Sequence, residues 1–476
     1  MKIYFMGICG TAMGNVAVMM KGCGHEVCGS DTGVYEPMKG VLERAGIGIF
    51  EGWDAGRLMA SRPDLVVVGN VISRMNPEIE WLLDTRAFEF TSLAELIGRR
   101  VIGSRPSLVV SGTHGKTTTT SVAAHLLSSV SPGAGWLIGG VPEGLEGGGS
   151  RFGGSDSPFV IEGDEYDTAF FDKRSKFVHY RPRVLLINNV EFDHADIFRD
   201  LGDVERAFTH VRRIVPRGGL IVENGDDGNI AALEPTPWVE RLKVGVGAGC
   251  DVRVSSFEEG RDGSSFEISH GGRSARIEWG MHGIFNARNA AMAACGAAAV
   301  LGLKSPLDLD LARLASFAGV RRRQELILDT PRVCAVEDFG HHPTAIAGTI
   351  ESLRGRFAGF DIYACFEPRS NSARTNVFEA AFASSLSGAD RVYVGAVRGA
   401  EKIAEGRRMD TFRLARSGGE KFEAFRDNSE LLEKLAADVS ASERNIVCVF
   451  FSNGSFDSIH RRFAEMFSPK GGSNAV

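Results

Sequence analysis

The sequence predicts an α/β protein of three domains, each built on a mostly parallel sheet. Three observations predict it. Short β-branched runs alternate with helical stretches along most of the chain, the pattern that places parallel strands between helices. The strand-like runs end in glycine turns or polar clusters, where ligands of such sheets bind. The 476 residues exceed what one hydrophobic core fills, so two to four domains are expected.

The first block, residues 1–105, opens with the strand "KIYFMGICG", the helix "TAMGNVAVMMKGCG" and a second strand, "HEVCGSD", that ends in Asp31; "DLVVVGNVI" is a later strand. The second block, residues 106–320, holds "VVSGTHGKTTTTSVAAHLL", in which a β-branched run enters a Gly-Thr-His-Gly-Lys turn and an alanine-rich helix leaves it. Its further strands are "PFVIEGDE", "RVLLINNVEFDH" and "GGLIVENGDD". From Cys250 to Trp279 the pattern changes to short alternating strands, read as an antiparallel flap, and the helix "NARNAAMAACGAAAVLGL" follows. The third block, residues 321–476, repeats strand–loop–helix units at "RVCAVEDFGHHPTAIAGTI", "FDIYACFEPRSNS", "ADRVYVGAV" and "NIVCVFFSNGSFDSIHRRF". The segment "EGLEGGGSRFGGSDS" reads as a mobile surface loop and "PKGGSNAV" as a frayed tail.

The bulk numbers exclude several classes. A formal charge of −6 speaks against a nucleic-acid binder. No run of 18 apolar residues suggests a membrane span, and the N-terminus has no signal-peptide pattern. The eight cysteines include no C-x-x-C pair and read as reduced thiols of a cytoplasmic enzyme. The 58 glycines suggest many tight turns and close backbone–ligand approaches.

The Gly-Lys-Thr turn has the logic of a phosphate loop. Gly112 and Gly115 let successive N–H groups of Gly112, Thr113, His114 and Gly115 face inward, and the following helix, with Thr118 in its first turn, adds its positive end. Lys116 can reach terminal phosphates and the Thr117 hydroxyl is placed for Mg²⁺. Val110 stands where such loops have their first glycine. Glu162 and His194, each at a strand end, are the further candidate metal ligands, although histidine is a less common partner for Mg²⁺. The first turn, "GICGTAMG", has the spacing G-x-x-G-x-x-x-G and not the dinucleotide G-x-G-x-x-G, so it suggests a diphosphate on a helix N-terminus, with Asp31 near a ribose. Two phosphate-binding turns point to ATP in one and a phosphate-bearing substrate in the other, hence ATP-driven group activation.

The stretches "GTHGKTTT", "EGDEYD", "NNVEFDH", "GIFNARNAAMAA", "RRRQE" and "EDFGHHPTAI" fall in the order seen in the Mur ligases of peptidoglycan synthesis, and the chain resembles that family over nearly its whole length. The resemblance implies a Rossmann-like UDP-binding domain, a central P-loop ATPase domain and a C-terminal Rossmann-like α/β domain. It implies ATP and Mg²⁺ as cofactors, with Lys116 on the β/γ-phosphates, Thr117 and Glu162 on one Mg²⁺ and His194 on a second. Asn286 and Asn289 would lie on the adenine side and Asp338 on the ribose. Arg323 would reach the γ-phosphate from the third domain, and His341 and His342 would lie near the reacting groups. Gly7, Cys9, Gly10, Thr11, Met13 and Asp31 are the candidate UDP-sugar contacts.

"DEYDTAFFDKRSKFVHYRPR", "FEPRSNS" and "FSNGSFD" are similar to the branch that joins the recycled tripeptide L-alanyl-γ-D-glutamyl-meso-diaminopimelate to UDP-N-acetylmuramate. In that reading Arg369, Arg374, Ser452 and Asn453 are candidate peptide contacts, because bidentate donors suit the peptide's carboxylates. His342 is the candidate base for the amine, with the alternative that the His-His-Pro only caps a helix. Two departures stand out. Phe285 precedes Asn286 where the family usually has histidine, and no lysine lies between His194 and Arg213, where some relatives carry a carbamylated one. The alternatives are a ligase adding L-alanine alone to the same sugar, a nicotinamide oxidoreductase, which the glycine spacing opposes, and a non-catalytic nucleotide-gated binding protein.

Overall fold

The computed structural model describes residues 1–399 and 403–469; the expected frayed tail lies, from Lys470 onward, outside the described residues. Three sheets carry the chain. The first has β1 (Lys2–Met6), β2 (Glu26–Asp31), β3 (Gly48–Glu51), β4 (Leu65–Val68) and β5 (Phe90–Ser92) in the order β3-β2-β1-β4-β5, all parallel. Ile3, Tyr4, Phe5 and Met6 are all buried, as a strand covered on both faces requires. Strand order reverses at β1, so the crevice opens at its carboxyl end, where Gly7 turns the chain at φ +85°.

The central sheet is built around β6 (Ser107–Ser111), with β7 (Gly135–Leu137), β8 (Ser150–Arg151) and β9 (Phe159–Gly163) on one side. A separate hairpin, β10 (Asp167–Ala169) and β11 (Asp172–Ser175), precedes the strands of the other side. Those are β12 (Val184–Ile187), β13 (Leu220–Asn224), β14 (Glu240–Gly245), β15 (Val252–Gly260), β16 (Gly263–His270) and β17 (Arg273–Trp279). The expected flap over Cys250–Trp279 is instead part of this sheet. β15 pairs parallel with β14, and β16 and β17 follow antiparallel. The cause is one-sided burial: Val252, Val254, Phe266, Ile268 and Ile277 alternate with half-buried or exposed residues and join the main core.

The helix Ile284–Val300 lies flat on this core. A Cβ on Gly296 would come within 2.7 Å of Leu186 Cδ1 and 2.8 Å of Leu108 Cδ1, so small residues here set how closely helix and sheet approach. The glycine-rich segment expected to be mobile is held. Ser150–Arg151 pairs antiparallel with β7, Trp136 donates from Nε1 to the Gly148 carbonyl (2.9 Å), and the Arg105 guanidinium holds the Phe152 carbonyl at 2.6 and 2.8 Å. Partners outside the segment itself, invisible in a local glycine count, supply that order.

The third sheet runs β18-β19-β23-β20-β21-β22, with β18 (Glu325–Asp329), β19 (Val333–Asp338), β20 (Asp361–Phe366), β21 (Arg391–Val394), β22 (Phe422–Ala424) and β23 (Ile446–Phe451). β18 is antiparallel to β19 and was not expected; it is an edge strand with an irregular register between Leu326 and Leu328. All eight cysteines are unpaired. Among the described residues no helix is long and apolar enough to cross a membrane.

Candidate active site

The carboxyl ends of strands from all three sheets meet in one cleft of about 800 Å³, lined by Thr11, Lys116, Glu162, His194, Arg323 and His342 among others. Two cavities adjoin it. One of about 390 Å³ opens at the first turn, and one of about 500 Å³ lies between the phosphate loop and the helix Ile284–Val300.

At the phosphate loop, Gly112 has φ +137° and Gly115 φ +79°, conformations that only glycine adopts cheaply. The helix Lys116–Val130 has no side-chain cap, so its first-turn N–H groups stay available to an anion. The same is true of the helices Thr11–Gly22 and Ile284–Val300. By contrast Asp54, Asn76, Asp200 and Asp227 cap helices away from the cleft. A Cβ on Gly112 would lie 2.9 Å from Asn188 Cβ and 3.1 Å from Asn189 N. Gly112→Ala is therefore expected to weaken ATP binding at least about tenfold and to cost about 1–3 kcal/mol of stability through backbone strain. Calorimetric titration with ATP, beside a thermal melt, checks both.

Lys116 donates to the Gly112 carbonyl (2.6 Å) and to both oxygens of Glu165 (3.1 and 2.8 Å). Burial works against its charge, but the carboxylates of Glu165 and Asp164 outweigh it and hold the amine above its ordinary pKa. Glu165 also accepts from His194 Nε2 at 3.1 Å; burial pushes that imidazole down, but the bond to Glu165 together with the charges of Glu165 and Asp193 outweighs it and holds the ring above its ordinary pKa. Thr117 donates to Glu162 Oε1 (3.1 Å), whose other oxygen takes the Gly139 N–H (2.9 Å). Hydroxyl and carboxylate oxygens are what Mg²⁺ prefers, and Asp164, Glu165 and His194 bring their ligand atoms within 4.8 Å of one another, so the donor set fits the expected ion.

Arg323 reaches from the third domain to Thr117 Oγ1 at 3.1 Å, its guanidinium over the Phe339 ring at 4.6 Å. Asp338 is engaged by the backbone, accepting from Gln324 N (2.9 Å) and Gly340 N (2.7 Å). Asn286, Asn289, Thr118 and Phe285 line the cavity beside the phosphate loop. His282, at the entry to that helix, is 4% exposed, and its Nε2 lies 3.1 Å from the Gly260 carbonyl. Burial, then the charge of Arg356, pushes its pKa from 6.5 to about 4. Between those values the unfolded chain binds the extra proton, so stability is full above pH 6.5 and falls with pH. About 2 kcal/mol is expected to be lost between pH 7 and pH 5. The melting temperature of His282→Gln is expected to fall less over that range than that of the native chain.

Of the residues expected on the UDP-sugar, Gly7, Gly10, Thr11 and Met13 line the first cavity. Cys9 and Asp31 do not line it; Asp31 spends its carboxylate on Cys9 N and Gly33 N, both at 2.8 Å, and so shapes the turn. Arg369 is exposed beside Gly454, and among the described residues no hydrogen bond or ion pair holds its guanidinium. Arg374 donates to Asn371 Oδ1 (2.6 Å), Asn371 reaches Asp196 (2.7 Å), Ser452 donates to Glu367, and Asn453 Oδ1 is buried without a partner.

Sequence reasoning missed Glu165, which faces Lys116, and Glu191, which accepts from His114 Nε2 (2.9 Å) and Thr344 Oγ1 (2.6 Å). Both sit in strand-end motifs read as polar clusters, but a motif with several carboxylates does not say which one faces Lys116 or His114.

Residues 2–100 match the model described as the Mur ligase family, catalytic domain, and residues 110–298 match the Mur ligase middle domain. The chain is 42% identical over 397 residues to an Escherichia coli (strain K12) protein, covering 83% of this chain and 84% of that one. The chain belongs to the Mur ligase family. That relative is named UDP-N-acetylmuramate–L-alanyl-γ-D-glutamyl-meso-2,6-diaminoheptandioate ligase. A UDP-N-acetylmuramate–L-alanine ligase of Leuconostoc mesenteroides is 32% identical over 85% of this Mur ligase and 86% of its own length. The solved murein peptide ligase of Psychrobacter arcticus 273-4 superposes with a TM-score of 0.72 at 33% identity, covering all of both chains. As a Mur ligase the chain is an ATP-dependent enzyme forming a C–N bond, and the oxidoreductase and non-catalytic readings fall away.

Proposed function

We propose that this chain joins the tripeptide L-alanyl-γ-D-glutamyl-meso-diaminopimelate to UDP-N-acetylmuramate, with ATP, in the cytoplasm, as a step of peptidoglycan recycling. One observation carries it: a phosphate loop, an oxygen-rich cluster and an arginine from another domain converge on a single cleft that opens into the cavity of the first turn. The choice of amine is supported by the greater likeness to a tripeptide ligase, 42% against 32%. Residues 1–105, 106–320 and 321–476 then serve the UDP-sugar, the nucleotide and the peptide.

A free carboxylate does not condense with an amine at useful rates, because its oxygen leaves poorly. In the proposed cycle the lactoyl carboxylate of the sugar bonds to the γ-phosphorus while the bond to the β,γ-bridging oxygen breaks and ADP departs. Lys116 and Arg323 offset the charge gathering on the phosphoryl oxygens. Mg²⁺ held by Thr117 and Glu162, and a second ion at His194, would supply further neutralisation of the phosphates. The peptide amine then attacks the acyl carbon, phosphate leaves, and a base takes one proton. His342 is proposed as that base. Burial holds it below its ordinary pKa, so it is neutral at pH 7.

Phosphate release measured with UDP-N-acetylmuramate and a panel of amines tests the reading. The tripeptide is expected to support turnover and L-alanine alone to fail; the reverse would make this the L-alanine ligase. For Arg369→Ala, KM for the tripeptide is expected to rise about tenfold or more while UDP-sugar affinity stays unchanged, since a lost charge-assisted hydrogen bond costs about 1.5–3 kcal/mol. Equal losses for both substrates would remove Arg369 from the peptide site.

A further inference from the structure

The stretch "DKRSKFVHY", part of the likeness to tripeptide ligases, lies against the first domain. The hairpin of β10 and β11 rests there: Phe171 packs edge-on against Phe90 of β5 (ring centroids 5.1 Å), and Asn70 Nδ2 donates to the Asp167 carbonyl (3.1 Å). After β11 the chain makes a short 3₁₀ turn, Lys176–Tyr180, and Thr168, Lys176 and Tyr180 line the cavity of the first turn. Lys173 and Arg174 do not; they pair with Asp167 and Asp172 on the hairpin itself.

Lys176 is the one cationic side chain among the described residues lining that cavity, which also holds the carboxylates of Glu162 and Asp164. Its Nζ donates to Asp164 Oδ2 (2.5 Å) and lies 5.4 Å from the centre of the Tyr166 ring. Burial pushes the Asp164 carboxyl up, but Lys176 and then Lys116 outweigh burial and hold it well below the usual carboxylate range, so the carboxylate stays ionised. An ammonium has three donors. Lys116 finds acceptors in Gly112, Thr113 and Glu165, whereas Lys176 has Asp164 alone among the described residues. The Lys176 side chain is 24% exposed, so it keeps donors for a ligand. Glu162 and Asp164 belong both to this cavity and to the main cleft, so Lys176 sits where the two join.

UDP-N-acetylmuramate brings two anionic groups into this cavity, its diphosphate and its lactoyl carboxylate. The diphosphate has the uncapped N-terminus of the helix Thr11–Gly22. The carboxylate must reach the join with the main cleft, where Glu162 and Asp164 repel it unless a cation receives it. We propose that Lys176 receives the lactoyl carboxylate, selects UDP-N-acetylmuramate over UDP-N-acetylglucosamine and sets the attacking oxygen toward the γ-phosphate. The bond is a charge-assisted one, ammonium to carboxylate. The assignment rests on UDP-N-acetylmuramate being the sugar substrate.

Calorimetric titration of the whole chain, without ATP, with UDP-N-acetylmuramate, UDP-N-acetylglucosamine and UDP tests it. The native chain is expected to bind UDP-N-acetylmuramate at least about tenfold more tightly than UDP-N-acetylglucosamine, which lacks the lactoyl group. Lys176→Met is expected to remove most of that preference and to leave the affinities for UDP-N-acetylglucosamine and UDP unchanged. Lys176→Arg, which keeps the charge, is expected to retain the preference. Thermal melts establish that the variants fold, and Lys176→Gln, whose amide can still reach Asp164, carries the same comparison if Lys176→Met does not. Equal losses for both sugars would place Lys176 on the diphosphate or on the shape of the cavity. A preference absent from the native chain, or unchanged in Lys176→Met, would leave Lys176 a partner of Asp164 only. Each of these results overturns the proposal and leaves the ligase reading standing, whereas a native chain that binds none of the three probes would overturn both.

Discussion

Lys116→Met is expected to reduce ligation by about a thousandfold or more while the chain stays folded, because one compact cation serves both nucleotide binding and phosphoryl transfer. The structure makes the position unusually sensitive. Lys116 is paired with Glu165, whose side chain is 2% exposed, so removing the amine leaves that carboxylate buried with the His194 imidazole as its remaining side-chain partner among the described residues. Breaking a buried pair costs about 3–5 kcal/mol. The variant should therefore melt earlier, and Lys116→Met/Glu165→Gln should recover much of the stability and none of the activity. A double-mutant cycle read by thermal melts and phosphate release separates the two effects. Amide formation by Lys116→Met at the native rate would refute acyl-phosphate chemistry at this loop.

Arg323→Ala is expected to lower kcat by about 10²–10³ with UDP-sugar affinity unchanged. Its guanidinium crosses from the third domain to the Thr117 hydroxyl, at the place where the terminal phosphate is expected. Burial pushes its pKa down, yet guanidinium remains charged throughout the working range. Arg323→Lys keeps the charge but loses the planar fork and its seat over Phe339, so it should recover only part of the rate. A loss confined to the KM for ATP would make Arg323 a binding residue and not a partner of the transition state.

Much of the candidate site was legible locally. Glycines at Gly112 and Gly115, a lysine and a threonine at a strand–helix junction are enough to announce a phosphate loop, because the loop is made by consecutive backbone N–H groups. The UDP-sugar turn was legible in part: Gly7 and Gly10 meet the cavity, whereas Asp31 proved to be a clamp on its own turn. Glu165 and Glu191 were illegible, since their roles depend on which strand-end carboxylate the sheet register turns toward Lys116 or His114.

What the amino-acid order determined alone was everything with a short period or a local turn: the alternation of strands and helices, the two phosphate-binding turns, and the strand-end clusters where chemistry gathers. What only the tertiary structure decided was pairing across the chain. It joined the presumed flap to the central sheet, tied down the glycine-rich segment through Arg105 and Trp136, and brought Arg323 to Thr117 and His342 to Glu191. The physical reason is that each pairing joins separate elements, from Trp136 and Gly148, 12 residues apart, to Arg323 and Thr117, 206 apart. A side chain's partner more than a hundred residues away is chosen by how whole sheets dock, and no window of neighbouring residues contains that choice.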